Sequence, residues 1–190
     1  MTRFRALLGL LMVFSLGACY PPSTSNPVGK TAGLKPDPAL TGLWKGTSAQ
    51  GETGYFHFLP QDNGTITVLL IAGTDKEWML VTATTATLGP NHLMNARLVS
   101  SNGIAETGGP KGTFPVLYQF DGKSGLKLSL LDERKVKAAL KAGQLAGTGY
   151  KTNLDDAVIT ADPATLDRFL QSPAGATLFD KPFFTLKKVE

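Results

Sequence analysis

Two histidines and one pair of adjacent carboxylates are the side chains of this sequence best suited to acid–base or metal chemistry. His57 and His92 are the only histidines, and Asp155 and Asp156 are neighbours in the chain. A zinc site needs histidines that converge with other ligands, but these two lie on different predicted strands. We therefore interpret them as surface or barrel-lining imidazoles and the aspartate pair as a solvated turn. The sequence predicts no metal site and no catalytic residue.

Two glycine-rich stretches match a phosphate-binding loop only in part. Residues 108–112 read Gly-Gly-Pro-Lys-Gly, without the Gly-x4-Gly-Lys-Ser/Thr spacing and without a predicted helix after them. Gly29-Lys30-Thr31 supplies the end of that motif, but Thr24 stands where its first glycine belongs. No Gly-x-Ser-x-Gly elbow and no His-Glu-x-x-His motif occurs. The sequence thus predicts no cofactor.

Cys19 is the only cysteine, and it follows a segment that is typical of a secretory signal. Two arginines give the N-terminus a positive charge, residues 6–16 form an apolar core, and two small residues precede the cysteine. Such a segment is removed on maturation and is too short to span a bilayer as a helix. We predict that residues 1–18 are a signal peptide.

Leu16-Gly17-Ala18-Cys19 resembles the lipobox of bacterial lipoproteins. In that family the cysteine thiol is diacylated with fatty acids such as palmitate, and the signal is cleaved just before it. The resemblance implies lipidation of Cys19 and membrane attachment without a transmembrane helix. Tyr20 stands where an aspartate would favour inner-membrane retention, so we expect the outer membrane, facing the periplasm. The alternative is an ordinary secretory signal with a chance cysteine.

Charge and cysteine usage limit the classes of partner. Removing Arg3 and Arg5 with the signal lowers the formal net charge from +4 to +2. A value this small gives no reason to expect nucleic-acid binding, so we predict no nucleic-acid partner. If Cys19 carries lipid, no thiol remains for a disulfide, and the protein has to fold without one.

Composition divides the remaining chain into a tether and a body. Residues 19–38 are rich in proline, serine, glycine and threonine and poor in apolar side chains. This composition predicts a flexible tether, whose root-mean-square span as a coil would be roughly 25 Å. Residues 39–190 carry regular patterns throughout and predict one β-rich domain.

Apolar and polar residues alternate with period two through most of the body, which indicates strands with one buried face. Short turns rich in glycine and asparagine separate them. The predicted strands are 42–47, 55–59, 65–72, 78–88, 92–100, 114–120 and 126–130, with a short strand at 157–160 and a last strand at 183–189 that returns to the sheet. Successive strands with short connections predict an antiparallel meander that curls into a barrel or half-barrel.

Two short helices are predicted near the C-terminus. The first begins after Asp132, a good N-cap, and ends at Gly143; the second begins at Asp162-Pro163. The first helix, residues 133–142, is basic and is a candidate contact for anionic headgroups or an acidic partner. The alternative is an ordinary solvated helix face.

Gly42-Leu43-Trp44 resembles the Gly-X-Trp signature that opens the lipocalin barrel. In that family the tryptophan closes one end of the barrel and the interior holds a small hydrophobic ligand; some bacterial members are outer-membrane lipoproteins. This chain has no Thr-Asp-Tyr match and carries two late helices instead of one. The alternative for Trp44 is a plain core aromatic.

Two functional hypotheses remain. The first is an outer-membrane-anchored lipoprotein whose β domain binds an apolar small ligand or an envelope protein. The second is an envelope enzyme with a site assembled from dispersed residues, for which His57, His92, Glu106 and Asp155 are the candidates. These hypotheses differ in what they require of the structure. The first needs an apolar cavity or surface, and the second needs the histidines beside a carboxylate.

Overall fold

The computed structural model describes residues 21–31, 33–61, 63–72, 77–106, 112–152 and 155–189. Cys19, Tyr20 and the predicted signal peptide lie outside these residues.

The described chain is mainly β, with a few short helices close to its C-terminus. In chain order the strands are β1 (Ser23–Thr24), β2 (Gly42–Ser48), β3 (Thr53–Pro60), β4 (Thr65–Ala72), β5 (Glu77–Leu88), β6 (Asn91–Ser101), β7 (Ile104–Ala105), β8 (Phe114–Asp121), β9 (Gly125–Leu130), β10 (Gly147–Thr148), β11 (Val158–Ile159) and β12 (Pro182–Lys188). The helices are α1 (Glu133–Lys141), α2 (Pro163–Gln171) and α3 (Pro173–Ala176), with 3-10 turns at Pro38–Leu40 and Thr177–Phe179.

Eight antiparallel strands form a closed barrel. Around the barrel their order is β2-β3-β4-β5-β6-β8-β9-β12, and β12 pairs with β2 as well as with β9. Strand β7 only extends β6 beyond the barrel. The predicted antiparallel barrel is thus confirmed, and the half-barrel alternative is wrong because the return of β12 leaves no open edge.

Large apolar side chains fill much of the barrel interior. Along each strand every second residue points inward, and an eight-stranded barrel is just wide enough for such side chains to meet at its centre. The buried inner residues are Leu40, Trp44, Phe56, Phe58, Ile66, Val68, Ala83, Met94, Ala96, Phe114, Val116, Tyr118, Leu126, Leu128, Phe184 and Leu186. Gly54 is required here, because a Cβ on it would lie 2.6 Å from the Phe184 ring.

A second apolar core lies outside the barrel. The outward side chains Ala86, Leu88 and Leu93 of β5 and β6 are buried against an outer layer. We define the outer layer as residues 131–152 and 155–181, which include the helices and the β10–β11 hairpin. Its side chains in this core include Val136, Leu140, Leu166, Leu170, Leu178 and Phe179. One wall of the barrel is therefore covered.

The helix ends follow the predicted capping residues. Asp132 accepts from the Lys135 N–H at 3.1 Å, and Gly143, at φ 68°, follows the end of α1. Asp162 accepts from the Thr165 N–H at 3.0 Å at the start of α2, where proline occupies the first turn. Among the residues that the structure describes, no helix has the length and apolar character needed to cross a membrane.

The predicted flexible tether is packed against the body over most of its length. Strand β1 pairs in parallel with β11, and Val28 is fully buried. Val28 also bonds through its backbone to the side chain of Asn95 on β6. Residues 21–31 and 33–40, here called the strap, run from the outer layer along the barrel wall to one barrel end. The flexible-coil prediction is wrong for these residues because long-range partners satisfy their backbone.

Candidate functional site

The strap and Trp44 close one end of the barrel. Leu40, in the 3-10 turn of the strap, is fully buried, and its carbonyl accepts from Trp44 Nε1 at 2.7 Å. Nearby, the Thr85 hydroxyl donates to the Lys35 carbonyl at 3.2 Å. Trp44 is thus a core aromatic that also holds the strap across this end, which we call the closed end.

A buried tyrosine belongs to the same end. The Tyr118 hydroxyl donates to the Asp37 carboxylate at 3.4 Å, and its ring lies 5.7 Å from the imidazole of His92. Burial, and then the negative charge of Asp37, raise the pKa of Tyr118 well above its usual value of 10.0. The phenol therefore stays protonated at physiological pH and serves as a donor within this end.

The opposite end, which we call the mouth, is lined by half-buried aliphatic side chains. On β4 the inner residues Ile66 and Val68 are buried, whereas Leu70 and Ala72 further along are half-buried. The same decline occurs on β5, from buried Ala83 to half-buried Val81, and on β6, from buried Ala96 to half-buried Leu98. The inner residues at this end that pack only partly on the core are Leu70, Ala72, Val81, Leu98, Leu130 and Phe183. The barrel interior therefore becomes accessible towards the mouth, where these apolar side chains share the inner face with Glu77 and Ser101.

The apolar lining continues onto the β6–β7 hairpin. Residues paired directly across antiparallel strands share a face, so the pairing of Leu70 with Met79, Met79 with Ser101, and Ser101 with Ile104 places all four on the inner side. Ile104 is 75% exposed. The mouth thus has an aliphatic rim that stands free of the barrel core.

A shallow crevice outside the barrel is the second concave feature. It lies where α2 and the Thr177–Phe179 turn meet the β5–β6 turn, and consists of two depressions of about 290 and 320 Å³ that are both lined by Leu88. Its other lining residues are Lys30, Thr87, Gly89, Asn91, Leu93, Leu117, Gln119, Asp167, Leu170, Gln171, Ala176, Phe179 and Asp180. Polar and charged groups surround this crevice, which makes it less suited to an apolar ligand than the mouth.

The histidines do not meet. His57 pairs with Leu43 and Leu69 and faces outward from β3, whereas His92 pairs with Thr87 and Tyr118 on β6. Two strands separate β3 from β6, a distance of about 14 Å along the wall. No group of three or more histidine, cysteine or acidic side chains within the described residues is arranged to hold a metal ion.

The remaining candidate residues have local contacts. Asp155 accepts from the Thr152 N–H at 2.9 Å, which matches the turn interpretation of the aspartate pair. The Glu106 N–H donates to the Val99 carbonyl beside the mouth. The Gly29 N–H donates to the Asp167 carboxylate at 2.8 Å, so this hydrogen bond holds the strap against α2. Residues 107–111, which include most of the glycine-rich stretch at 108–112, lie outside the described residues.

No protein-family model, no curated protein and no solved structure matches this chain. The lipobox and lipocalin resemblances stay predictions from the sequence. The candidate site is therefore the mouth, chosen on its geometry alone. The period-two pattern of the sequence grouped residues such as Leu70, Val81 and Leu98 on one face of each predicted strand, but it gave no signal for where along the strand the buried core ends. That position depends on how far the aromatic rings from other strands reach.

Proposed function

We propose that this protein is a lipoprotein held at the bacterial outer membrane by acyl chains on Cys19, facing the periplasm. We further propose that the mouth of its barrel binds an apolar small ligand. The first part is supported by the signal-like segment, the lipobox pattern and Tyr20. The second is supported by one observation: apolar inner residues at the mouth, such as Leu70, Val81 and Leu98, are only half-buried.

The energetic reason for ligand binding at the mouth is simple. Apolar surface removed from water contributes about 25 cal/mol per Å². The half-buried Leu70, Val81 and Leu98 leave part of that stabilisation unrealised in the free protein. An acyl chain or similar apolar group entering the mouth would cover these side chains and meet the buried core behind them. Such sites bind largely by burial, with few polar contacts.

We expect Cys19→Ser to move the protein from the membrane fraction to the soluble periplasmic fraction. The serine variant lacks the thiol that receives the diacylglyceryl group. In the wild-type protein the acyl chains of that group contribute about 0.8 kcal/mol of membrane binding per methylene. Tyr20→Asp is the matched variant, expected to leave the protein in membranes but to shift it to the inner membrane. Fractionation followed by immunoblotting checks both. An unchanged membrane fraction for Cys19→Ser contradicts the anchor.

We expect Leu98→Gln to weaken binding of a fluorescent fatty acid by about tenfold, because a polar group left without a partner at an apolar site costs about 1–2 kcal/mol. Ile104→Ser, at a position that is 75% exposed, should weaken binding by a smaller factor and leave folding unchanged. Leu34→Ser is the control, since Leu34 is exposed on the strap. Fluorescence titration measures the dissociation constants, with circular dichroism as the check on folding. Equal affinity in all three variants removes the mouth as the site.

An envelope protein is the second candidate occupant of the mouth. Ile104 protrudes on the short edge strand β7, and Trp78 lies close by, 37% exposed and 3.6 Å from the Cβ position of Gly103. Exposed aromatic and aliphatic side chains next to a free strand edge are typical of protein contact surfaces. A photo-crosslinking residue at position 104 in cells should then yield one discrete adduct. The small-ligand proposal predicts none.

A further inference from the structure

The start of the strap limits how far the body can stand from a lipid on Cys19. Ser23 is 1% exposed and Thr24 is fully buried. The Ser23 N–H donates to the Ala157 carbonyl at 3.0 Å, and the Thr24 N–H donates to the Thr113 carbonyl at 2.8 Å. Cys19 is thus four residues from a point held on the body, which is a contour of at most about 14 Å.

The strap begins beside a defined surface of the outer layer. Strand β1 is parallel to β11 with Ser23 opposite Val158, so Pro21 lies next to Asp156 when the register is continued by two residues. Asp156 is exposed, and its carbonyl abuts Gly149 at the end of the β10–β11 hairpin. The chain therefore leaves the body at the connection between β10 and β11, on the side of the molecule that carries the helices.

The opposite side of the molecule is equally well defined. Thr24 bonds to Thr113 at the start of β8, and β3 is four positions from β8 in the eight-stranded ring. Strand β3 is therefore diametrically across the barrel from the strap's first residues. Its outward residues Thr53 and Tyr55 are exposed. A label on β3 and a label at Asp156 consequently report on opposite sides.

We propose that the body lies directly on the phospholipid surface, with the outer layer facing the headgroups and the β2–β3 wall facing away. This inference rests on the proposed lipid on Cys19. The connection from Cys19 to Ser23, here called the leash, is at most about 14 Å long. Each headgroup region is roughly 5–8 Å thick, so the headgroups alone take up roughly half of the leash. The outer-layer surface around Asp156 then contacts the bilayer that holds the acyl chains, because the connection from Cys19 to Ser23 is too short to keep the body away from it.

Charge on this surface does not provide the attraction. Lys151 lies close to Asp155 and Asp156 in the chain, and Lys137 of α1 pairs with Glu133 at 2.6 Å. Positive and negative groups are therefore interspersed around the exit of the strap. The contact depends on the length of the leash, and it should be the same on zwitterionic vesicles and on vesicles that contain anionic lipid.

The test uses the full-length lipidated protein reconstituted in phosphatidylcholine vesicles, with and without phosphatidylglycerol. Since Cys19 is the only native cysteine, one introduced cysteine can be labelled with a fluorophore and quenched by nitroxide-headgroup lipid. We expect quenching to be about twofold stronger for Asp156→Cys than for Thr53→Cys, because the leash of about 14 Å holds only the first near the headgroups. Inserting a twenty-residue glycine–serine segment, of roughly 25 Å span, between Tyr20 and Pro21 should abolish the difference.

The outcomes separate this inference from the proposed anchor. Equal quenching of the two labels in protein that floats with vesicles overturns the orientation and leaves the anchor intact. Stronger quenching only with phosphatidylglycerol also overturns it, since charge would then set the contact. If the wild-type protein does not float with vesicles at all, the lipid on Cys19 is absent and both proposals fail.

Discussion

Trp44→Ala is expected to lower the free energy of unfolding by about 3–5 kcal/mol, the usual cost of removing a large aromatic side chain from a packed core. Trp44 is fully buried, and its indole N–H donates to the Leu40 carbonyl at 2.7 Å. The alanine variant loses the packing and also leaves a buried carbonyl without its donor. Urea denaturation followed by circular dichroism gives the free-energy difference.

Two further variants separate the components of this effect. Trp44→Phe keeps an aromatic ring but removes the donor, so we expect a loss of about 1–3 kcal/mol. Trp78→Ala changes the other tryptophan, which is 37% exposed and outside the core, and should cost less than about 1 kcal/mol. If Trp44→Ala costs no more than Trp78→Ala, Trp44 does not close the barrel.

Asn95→Ala is expected to lower the free energy of unfolding by about 2–6 kcal/mol and to release the strap from the barrel wall. The Val28 N–H donates to Asn95 Oδ1 at 2.8 Å, and Asn95 Nδ2 donates to the Val28 carbonyl at 2.9 Å. Both residues are buried, so alanine leaves two backbone groups unsatisfied, each costing about 1–3 kcal/mol. Denaturation measures the stability, and limited trypsin digestion after Lys30, which is followed by threonine, measures release of the strap.

Arg97→Ala is the matched control for this experiment. Arg97 lies two residues further along β6 and is exposed, so its truncation should change stability by less than about 0.5 kcal/mol. Faster cleavage at Lys30 in Asn95→Ala, but not in Arg97→Ala, would support the role of the amide. Unchanged cleavage and stability in Asn95→Ala would mean that the strap is held by other contacts.

Local patterns predicted most barrel strands and both principal helices. On β5, period-two alternation groups Met79, Val81, Ala83 and Thr85 on one face of the strand. These four residues form the inner face in the structure. Asp132 and Asp162 cap their helices as predicted. These features could be predicted from the sequence because strand alternation and capping hydrogen bonds involve residues only a few positions apart.

The candidate site could be predicted only in part from the sequence. Leu70, Val81 and Leu98 follow the period-two pattern of their strands, but this alternation is the same as that of buried neighbours such as Val68. The exposure of an inner residue at the mouth depends on which aromatic side chains from other strands fill the barrel interior at the same height. Gly54 illustrates the difficulty, since its role is to admit the ring of Phe184, which is 130 positions away in the numbering.

The amino-acid sequence alone determined a chain of alternating strands, two capped helices near the C-terminus and a lipobox pattern at Cys19. Tertiary structure decided that β12 pairs with β2 and closes the barrel, and that residues 21–31 and 33–40 form a strap instead of a coil. The physical reason is that proline- and serine-rich composition reports only a weak local preference. The pairing of Val28 with Asn95, 67 residues apart, supplies hydrogen bonds and burial that overcome this preference.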